Sequence, residues 1–311
     1  MQNNIQNDIQ YDDDIDLREL FGVLLAGSRK IIAITVVFAF VSVIYALLLP
    51  NQYKATSLLA PAQSDSSDLS GALSQLGGLA SLAGVDIGGG KSTEAQMAQE
   101  IMKSWSFIEG FIVDNDLAVQ LCAVQGWSKE SDELLINDGA YDTENKQWLS
   151  DNECGAGPPS SWDLFQAFSE RLVVSENKKS GLVSMSIEYY SPQIAKQWLD
   201  NYVAAINAHM QQRQVEKVTN NINYLQDQIK KTSIAEMREV FYTIIEGQTK
   251  NKMVAEASPE YVFVAVSPSM VPEEKSQPQR AFICILGTLI GGILSVLLVL
   301  VMHYARKLEV N

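Results

Sequence analysis

The chain has 311 residues, with 37 acidic against 23 basic side chains and a formal net charge of −14 at neutral pH. An excess of that size argues against binding nucleic acid or anionic lipid headgroups through a broad basic face. Hydrophobic residues make up 47% of the sequence, and two long uncharged runs near the ends organise what lies between them.

Residues 1–14 are polar and acidic and read as a disordered tail. Asp16–Leu25 places Leu17, Leu20, Phe21 and Leu24 on one helical face, which predicts a short interfacial helix leading into the membrane. Ile31–Leu49 follows, nineteen uncharged residues between Arg29-Lys30 and Pro50-Asn51. Near the other end Ala281–Met302 runs for twenty-two residues without a charge. At about 1.5 Å per residue the second run is roughly 33 Å long as a helix, enough to cross a hydrocarbon core. A buried core helix is the alternative, but Thr288 and Ser295 are its only hydroxyl-bearing residues and give it no polar face.

With two spans, residues 51–280 lie on one side. Arg18, Arg29, Lys30, Arg306 and Lys307 flank the spans on their outer ends, against Lys54, Lys275 and Arg280 on the inner ends. That bias places both termini in the cytoplasm and the central module outside it. The module carries 18 basic and 30 acidic residues, a net charge of −12. A 30-residue leader containing Asp12-Asp13-Asp14 argues against cleavage of the first span as a signal peptide.

Within the module, Gln52–Ala60 reads as a strand close to the membrane, ended by Pro61. Gln63–Ser92 is rich in Ser and Gly around L-G-G-L-A-S-L-A-G at Leu76–Gly84, and reads as a mobile loop. From Thr93 the spacing of Met97, Ile101, Trp105, Ile108 and Ile112 is helical, and a second helix is expected over Asp114–Gln125. Residues 126–160 look like a solvated excursion, with eight acidic residues to two lysines from Ser128 to Glu153. A short helix at Trp162–Arg171 precedes a hairpin of Leu172–Ser175 and Leu182–Tyr190. The second strand of that hairpin alternates Val183, Met185, Ile187 and Tyr189 with polar residues.

Ser191-Pro192 is a strong helix start, a capping hydroxyl with Pro at the first helical position. The helix carries a narrow apolar stripe, interrupted by Arg213 and Lys217, that suits packing on a neighbouring helix of the same or another copy. Forty residues of helix rise about 60 Å. The apolar strand Tyr261–Val266 must return to the membrane-proximal sheet, so the helix has to break and descend. Ser233-Ile-Ala-Glu236 is a capping box that would start the descending helix, with Met237, Val240, Phe241 and Ile244 as its inner face. The approach to the second span contains Pro268, Pro272 and Pro278, which predict a stiff extended connection able to couple the module to the membrane.

Few residues suggest chemistry. Val85–Ser92, V-D-I-G-G-G-K-S, ends like a phosphate-binding loop, but that pattern requires Gly where Val85 stands and a strand before it. The two histidines, His209 and His303, form no cluster, and the acidic pairs read as solvated surface. Neither a metal, a cofactor nor a catalytic constellation is expected. Gly287-x-x-x-Gly291, followed by Gly292, could let two transmembrane helices approach closely. Cys122 and Cys154 bracket the acidic excursion outside the cytoplasm, where a disulfide is expected and two buried free thiols are the alternative.

The layout resembles the Wzz-type polysaccharide co-polymerases, inner-membrane determinants of chain length for lipopolysaccharide O-antigen and related polymers. The resemblance rests on the two terminal spans, the leader D-L-R-E-L-F-G-V-L-L-A-G-S-R-K and the L-G-G-L-A-S-L-A-G loop. It rests also on the S-P-x-x-A-K-x-W-x-x-x-Y-V start at Ser191–Val203 and the Pro-rich approach to a Gly-containing second span. It implies an α+β fold in which two transmembrane helices flank a periplasmic domain, with a mixed α/β base and a protruding helical hairpin. It also implies a ring-like homo-oligomer of more than two copies working with a polysaccharide polymerase and lipid-linked glycan, without catalytic residues.

The expected boundaries are a cytoplasmic tail and interfacial helix over 1–30, a span over 31–49, the periplasmic part over 50–280 with its arm at about 192–250, a span over 281–302 and a cytoplasmic tail over 303–311. The chain departs from the family pattern in a shorter arm and in the cysteine-bracketed excursion. Two other classes stay open: a membrane adaptor of a polysaccharide export system with a separate tyrosine kinase and outer-membrane channel, and a periplasmic carbohydrate-active enzyme.

Overall fold

The computed structural model describes residues 17–62, 90–149 and 152–310, and only the backbone of 17–23, 90–93 and 303–310. The acidic tail, the loop at Leu76–Gly84 and most of the phosphate-loop-like stretch at Val85–Ser92 therefore lie outside the described residues. The chain divides into two units, 1–49 with 277–311, and 50–276.

In the first unit, α1 (Leu17–Leu48) and α8 (Arg280–Val310) are the two long helices. Their apolar, membrane-length parts are Leu24–Leu48 and Arg280–Met302. No break separates an interfacial helix from the span: α1 is continuous through Arg29-Lys30. Most apolar side chains of both helices face outward, Leu48 and Val301 among them, as suits surfaces covered by lipid. Between the two helices Ser42, Ala46, Ser295 and Val299 are buried. The Thr35 and Ser295 hydroxyls meet at 3.4 Å.

The second unit is built on a five-stranded sheet. Strand β1 (Gln52–Pro61) is its centre, and β2 (Val124–Ser128), β3 (Glu133–Ile136), β4 (Tyr141–Asp142) and β5 (Gln147–Trp148) form two small hairpins apart from it. The remaining sheet members are β6 (Leu172–Asn177), β7 (Leu182–Tyr189), β8 (Phe263–Ser267) and β9 (Lys275–Gln277). Their order is β6-β7-β1-β8, with β9 also on β1. The β1–β7 register is antiparallel, from Tyr53 opposite Tyr189 to Leu59 opposite Val183. It puts Ala55, Ser57 and Leu59 of β1 on the buried side with Val183, Met185, Ile187 and Tyr189 of β7. Gly181 (φ 68°) supplies the left-handed position in the β6–β7 turn, where a Cβ would be strained.

Helices α2 (Gly90–Lys103), α3 (Trp105–Asp114), α4 (Ala118–Cys122) and α5 (Ser161–Ser169) surround the sheet core. The single helix expected from Thr93 is two, because the Ser104 hydroxyl caps a new start by accepting from Phe107 N. The second helix expected over Asp114–Gln125 shrinks to the five residues of α4, since Val124 onward is drawn into β2. Residues 126–160 are not a bare solvated loop. Trp127, Leu134, Ile136 and Trp148 on the two hairpins pack against the core, and the acidic residues occupy the other faces.

From the base rise α6 (Pro192–Lys231) and α7 (Ala235–Glu256). The Ser191 hydroxyl accepts from Ile194 N at the start of α6, with Pro192 in the first turn. The break falls at Thr232–Ile234, but the residue that caps α7 is Ile234 and no side chain closes the cap, so the expected Ser233 capping box is not formed. Within the last link Lys275–Gln277 pair with the sheet as β9, and Ser276 Oγ donates to Gln52 O at 3.1 Å.

Candidate functional site

Among the described residues no group of three or more His, Cys, Asp or Glu side chains converges. His209 packs its ring edge-on to Phe107 at 5.4 Å. What the sequence concentrates instead is mechanical connection: the root of the arm, the cysteine-closed excursion, the glycines of α8 and the Pro-rich link.

The root is an aromatic cluster. Trp198 and Tyr202 of α6 meet Phe107 and Phe111 of α3, Phe168 of α5 and Tyr189 of β7, with ring centroids 4.3–6.1 Å apart. Each phenol that is buried there has a partner: Tyr202 donates to Met102 O at 2.5 Å and Tyr189 to Gln120 O at 2.7 Å. Burial pushes both phenols well above the ordinary tyrosine range, so they remain neutral donors.

One turn further along α6, Asn207 is buried and turned towards the start of β8. Its nitrogen donates to Phe263 O at 2.9 Å, and its oxygen accepts from Val262 N at 3.0 Å and Phe263 N at 2.9 Å. Gln211 repeats the device a turn later, donating to Ala255 O at 2.9 Å and Ser258 O at 3.1 Å. Asp200 accepts from Lys196 at 2.5 Å and from the Ser269 hydroxyl. The sequence reading missed this clamp. Its signal was a polar residue on the apolar stripe, since Asn207 falls between Val203 and Met210 at spacings of four and three.

Above the root, the stripe of α6 is met by α7 of the same chain. Val218 is buried and Ile222, Leu225 and Ile229 are half-buried, whereas the facing side of α7 is Phe241, Ile245, Gln248, Lys252 and Ala255. Of the inner face expected for α7, only Phe241 points inward. Met237, Val240 and Ile244 are 43%, 48% and 38% exposed. The reason lies at the lower end, where Ala255 is held under Gln211 and sets the rotation of the whole helix.

A disulfide joins Cys122 to Cys154, with Cα atoms 5.3 Å apart and a sequence separation of 32. Beside it, Glu153 N donates to Cys122 O at 3.0 Å, and Arg171 approaches the Glu153 carboxylate at 3.8 Å while donating to Ala167 O at 2.6 Å. Burial raises the Glu153 carboxyl above its usual range, and the Arg171 charge and a Tyr190 hydrogen bond only partly offset that. Tyr190 is itself raised, first by burial and then by the Glu153 charge.

In α8, Gly287 and Gly291 face α1 of the same chain, not a free surface available to another copy. A Cβ on Gly287 would stand 2.5 Å from Ser42 Cβ, and one on Gly291 would collide with Phe38. Gly292 has open space instead. The Pro268 and Pro272 segment runs between β8 and β9, and the Gln277–Pro278 peptide is cis.

Residues 13–114 match the family model described as Wzz, chain length determinant protein. The matched segment takes in α1, β1, α2 and α3. No curated protein sequence matches the chain. Among solved structures, a full-length bacterial polysaccharide co-polymerase aligns at 12% identity and TM-score 0.41, covering 94% of this chain and 99% of its own. A fragment of WzzB, a polysaccharide co-polymerase from Salmonella Typhimurium, aligns at 10% identity and TM-score 0.33, over 73% of this chain and all of the fragment. A mutant of WzzBSF, the Shigella flexneri lipopolysaccharide O-antigen chain-length regulator, aligns at 8% identity and TM-score 0.24, over 72% and 100%. By the family-model match, residues 13–114 are similar to the Wzz chain length determinant proteins, and they lie in a chain whose two membrane-length helices flank an α+β domain.

Proposed function

We propose that this protein is a non-catalytic regulator of polysaccharide chain length in the bacterial inner membrane, working beside a polymerase that extends lipid-linked repeats. The observation that carries the reading is the family match over residues 13–114, which covers the first span and the membrane-proximal strand and helices. Both termini are cytoplasmic and the 50–276 unit is periplasmic, in keeping with the positive charges outside the two spans. A regulator of this kind needs no reacting residues. It changes a length distribution by altering how long the polymerase and the growing glycan remain together.

Self-association is part of the proposal. Every copy enters the membrane in one orientation, so a repeated side-by-side contact closes into a ring. The outward Met237, Val240 and Ile244 on α7 are among the apolar residues available for such a contact. The Pro-containing link, Pro268, Pro272 and Pro278, is proposed to carry a change in the periplasmic unit to the second span, because proline fixes the backbone and a stiff link transmits displacement.

The deciding experiment is a polysaccharide gel from cells with and without the protein. Deletion is expected to leave synthesis active and to broaden the lengths toward short chains. An unchanged distribution would remove the length-regulator reading.

A further inference from the structure

Two exposed tryptophans of the periplasmic unit stand on different helices that a hydrogen bond joins, Trp105 reaching Ser161, the residue before Trp162. Trp105 opens α3 and is 48% exposed, and Trp162, in the first turn of α5, is 55% exposed. A pair of half-bare indoles is an unusual expenditure of apolar surface in a domain with enough helices to bury them. Neither ring is loose. The Trp105 indole N–H donates to Ser161 Oγ at 3.0 Å, and the Ser161 hydroxyl donates in turn to Glu109 Oε1 at 2.5 Å. Glu109 stands one turn along α3 from Trp105, so the relay closes on the same helix face. Trp162 is backed by Phe165, with ring centroids 5.1 Å apart and planes at 37°.

We propose that Trp105 and Trp162 form a glycan-binding platform for an uncharged or amino-bearing polysaccharide. The C–H-rich face of a pyranose ring is the ligand chemistry that an exposed, oriented indole accommodates best, because it combines apolar contact with attraction between polarised C–H groups and the π face. Sugar hydroxyls then need acceptors at the edge of the ring. Glu109 uses one oxygen for Ser161 and keeps Oε2 without a protein partner among the described residues. The relay also pre-orients Trp105, which lowers the ordering cost of binding. Charge selects among ligands. A module with a net charge of −12, and a carboxylate within the platform, disfavours acidic glycans and anionic lipid headgroups alike.

This site rests on the length-regulator reading and gives it a hand on the polymer. The test uses full-length protein in lipid nanodiscs, free of sugar-based detergent. It is titrated with maltohexaose, an N-acetylglucosamine oligomer and a glucosamine oligomer, with oligogalacturonate as the acidic control. Saturable binding of one of the first three, and none of the fourth, is expected by calorimetry. Trp105→Ala with Trp162→Ala should weaken it by about tenfold or more, and Trp105→Phe with Trp162→Phe should recover most of it. Unchanged thermal midpoint and an intact Cys122–Cys154 bond establish that the variants fold.

Absence of saturable binding across the panel overturns the platform, as does binding that the Ala variant retains. A changed particle mass in the Ala variant without a change in glycan affinity assigns the patch to contact between copies, and loss of vesicle binding alone assigns it to the bilayer. Either result overturns the glycan assignment. Because these readouts are on purified protein, they fail independently of the deletion phenotype that tests length regulation itself.

Discussion

Asn207 and Phe263 exchange two hydrogen bonds, the carboxamide of one standing in for a neighbouring strand to the backbone of the other, each at 2.9 Å. The first strand to return after the arm is thus held to the helix that leads into it. Asn207→Leu would leave three backbone groups at Val262 and Phe263 buried without partners. At roughly 1–3 kcal/mol for each unsatisfied group the variant should lose at least about 2 kcal/mol. The midpoint of thermal unfolding should fall by several degrees, and the Phe263 amide should exchange faster with solvent. Wild-type protection at Phe263 in the variant would show that the clamp contributes nothing.

The Cys122–Cys154 bond, between residues with a sequence separation of 32, closes a segment that carries the half-buried Trp127 and Trp148. In the chain-entropy account such a loop contributes roughly 3–4 kcal/mol. Peptides from non-reduced protein, made with an intact oxidation pathway, should contain the cross-linked pair by mass spectrometry. Replacing both cysteines by Ser should lower stability by about that amount, and two free thiols in the wild type would refute the bond.

Because Gly287 and Gly291 abut Ser42 and Phe38, enlarging them should separate the chain's own spans. A Thr35→Cys, Ser295→Cys pair, placed where the two hydroxyls meet at 3.4 Å, is expected to cross-link within one chain and run as a monomer on a denaturing gel. Adding Gly291→Leu should suppress the cross-link. Predominantly dimeric product would move the close approach from within the chain to between copies.

The raised Glu153 carboxyl has a pH signature. Its folded-state pKa lies above the unfolded value, so the folded state takes up this proton more readily. The group therefore favours folding as pH falls through the window that opens near the ordinary carboxyl value of 4.5, and that contribution is lost as pH rises through the raised value. Glu153→Gln should flatten stability against pH within that window, between 4.5 and the raised value, measured by urea unfolding at several pH values. A slope identical to wild type would mean that burial of Glu153 does not govern its titration.

The connecting prolines are testable in cells. Pro272→Ala with Pro278→Ala is expected to shift the preferred polymer length while leaving expression level and membrane insertion unchanged. If the gel profile of the double variant overlays that of wild type, stiffness of the link has no part in setting length.

Some of this architecture is written in short stretches of sequence. An uncharged run such as Ala281–Met302 must leave water whatever surrounds it, so both spans were legible from composition. The start of α6 at Pro192 was legible for a similar reason, because its cap is made by Ser191 next door. The alternating residues of β7 announced their buried face, since strand geometry sends every second side chain the same way.

What only the tertiary structure decided are the contacts whose partners lie far away in the chain. Residues 126–160 read as solvated because their acidic residues are local, whereas the core that covers Trp127 and Trp148 is assembled from other segments. The inner face of α7 was misplaced because its rotation is set by Ala255 beneath Gln211, 44 residues apart. Gly287 and Gly291 fit either a second copy or the first span, and only the pairing of α1 with α8 chooses between them. Likewise Asn207 is an ordinary helical asparagine until β8 arrives, 56 residues later, with backbone groups that need a partner. Local chemistry determines which elements form; burial by distant residues decides which of their faces matter.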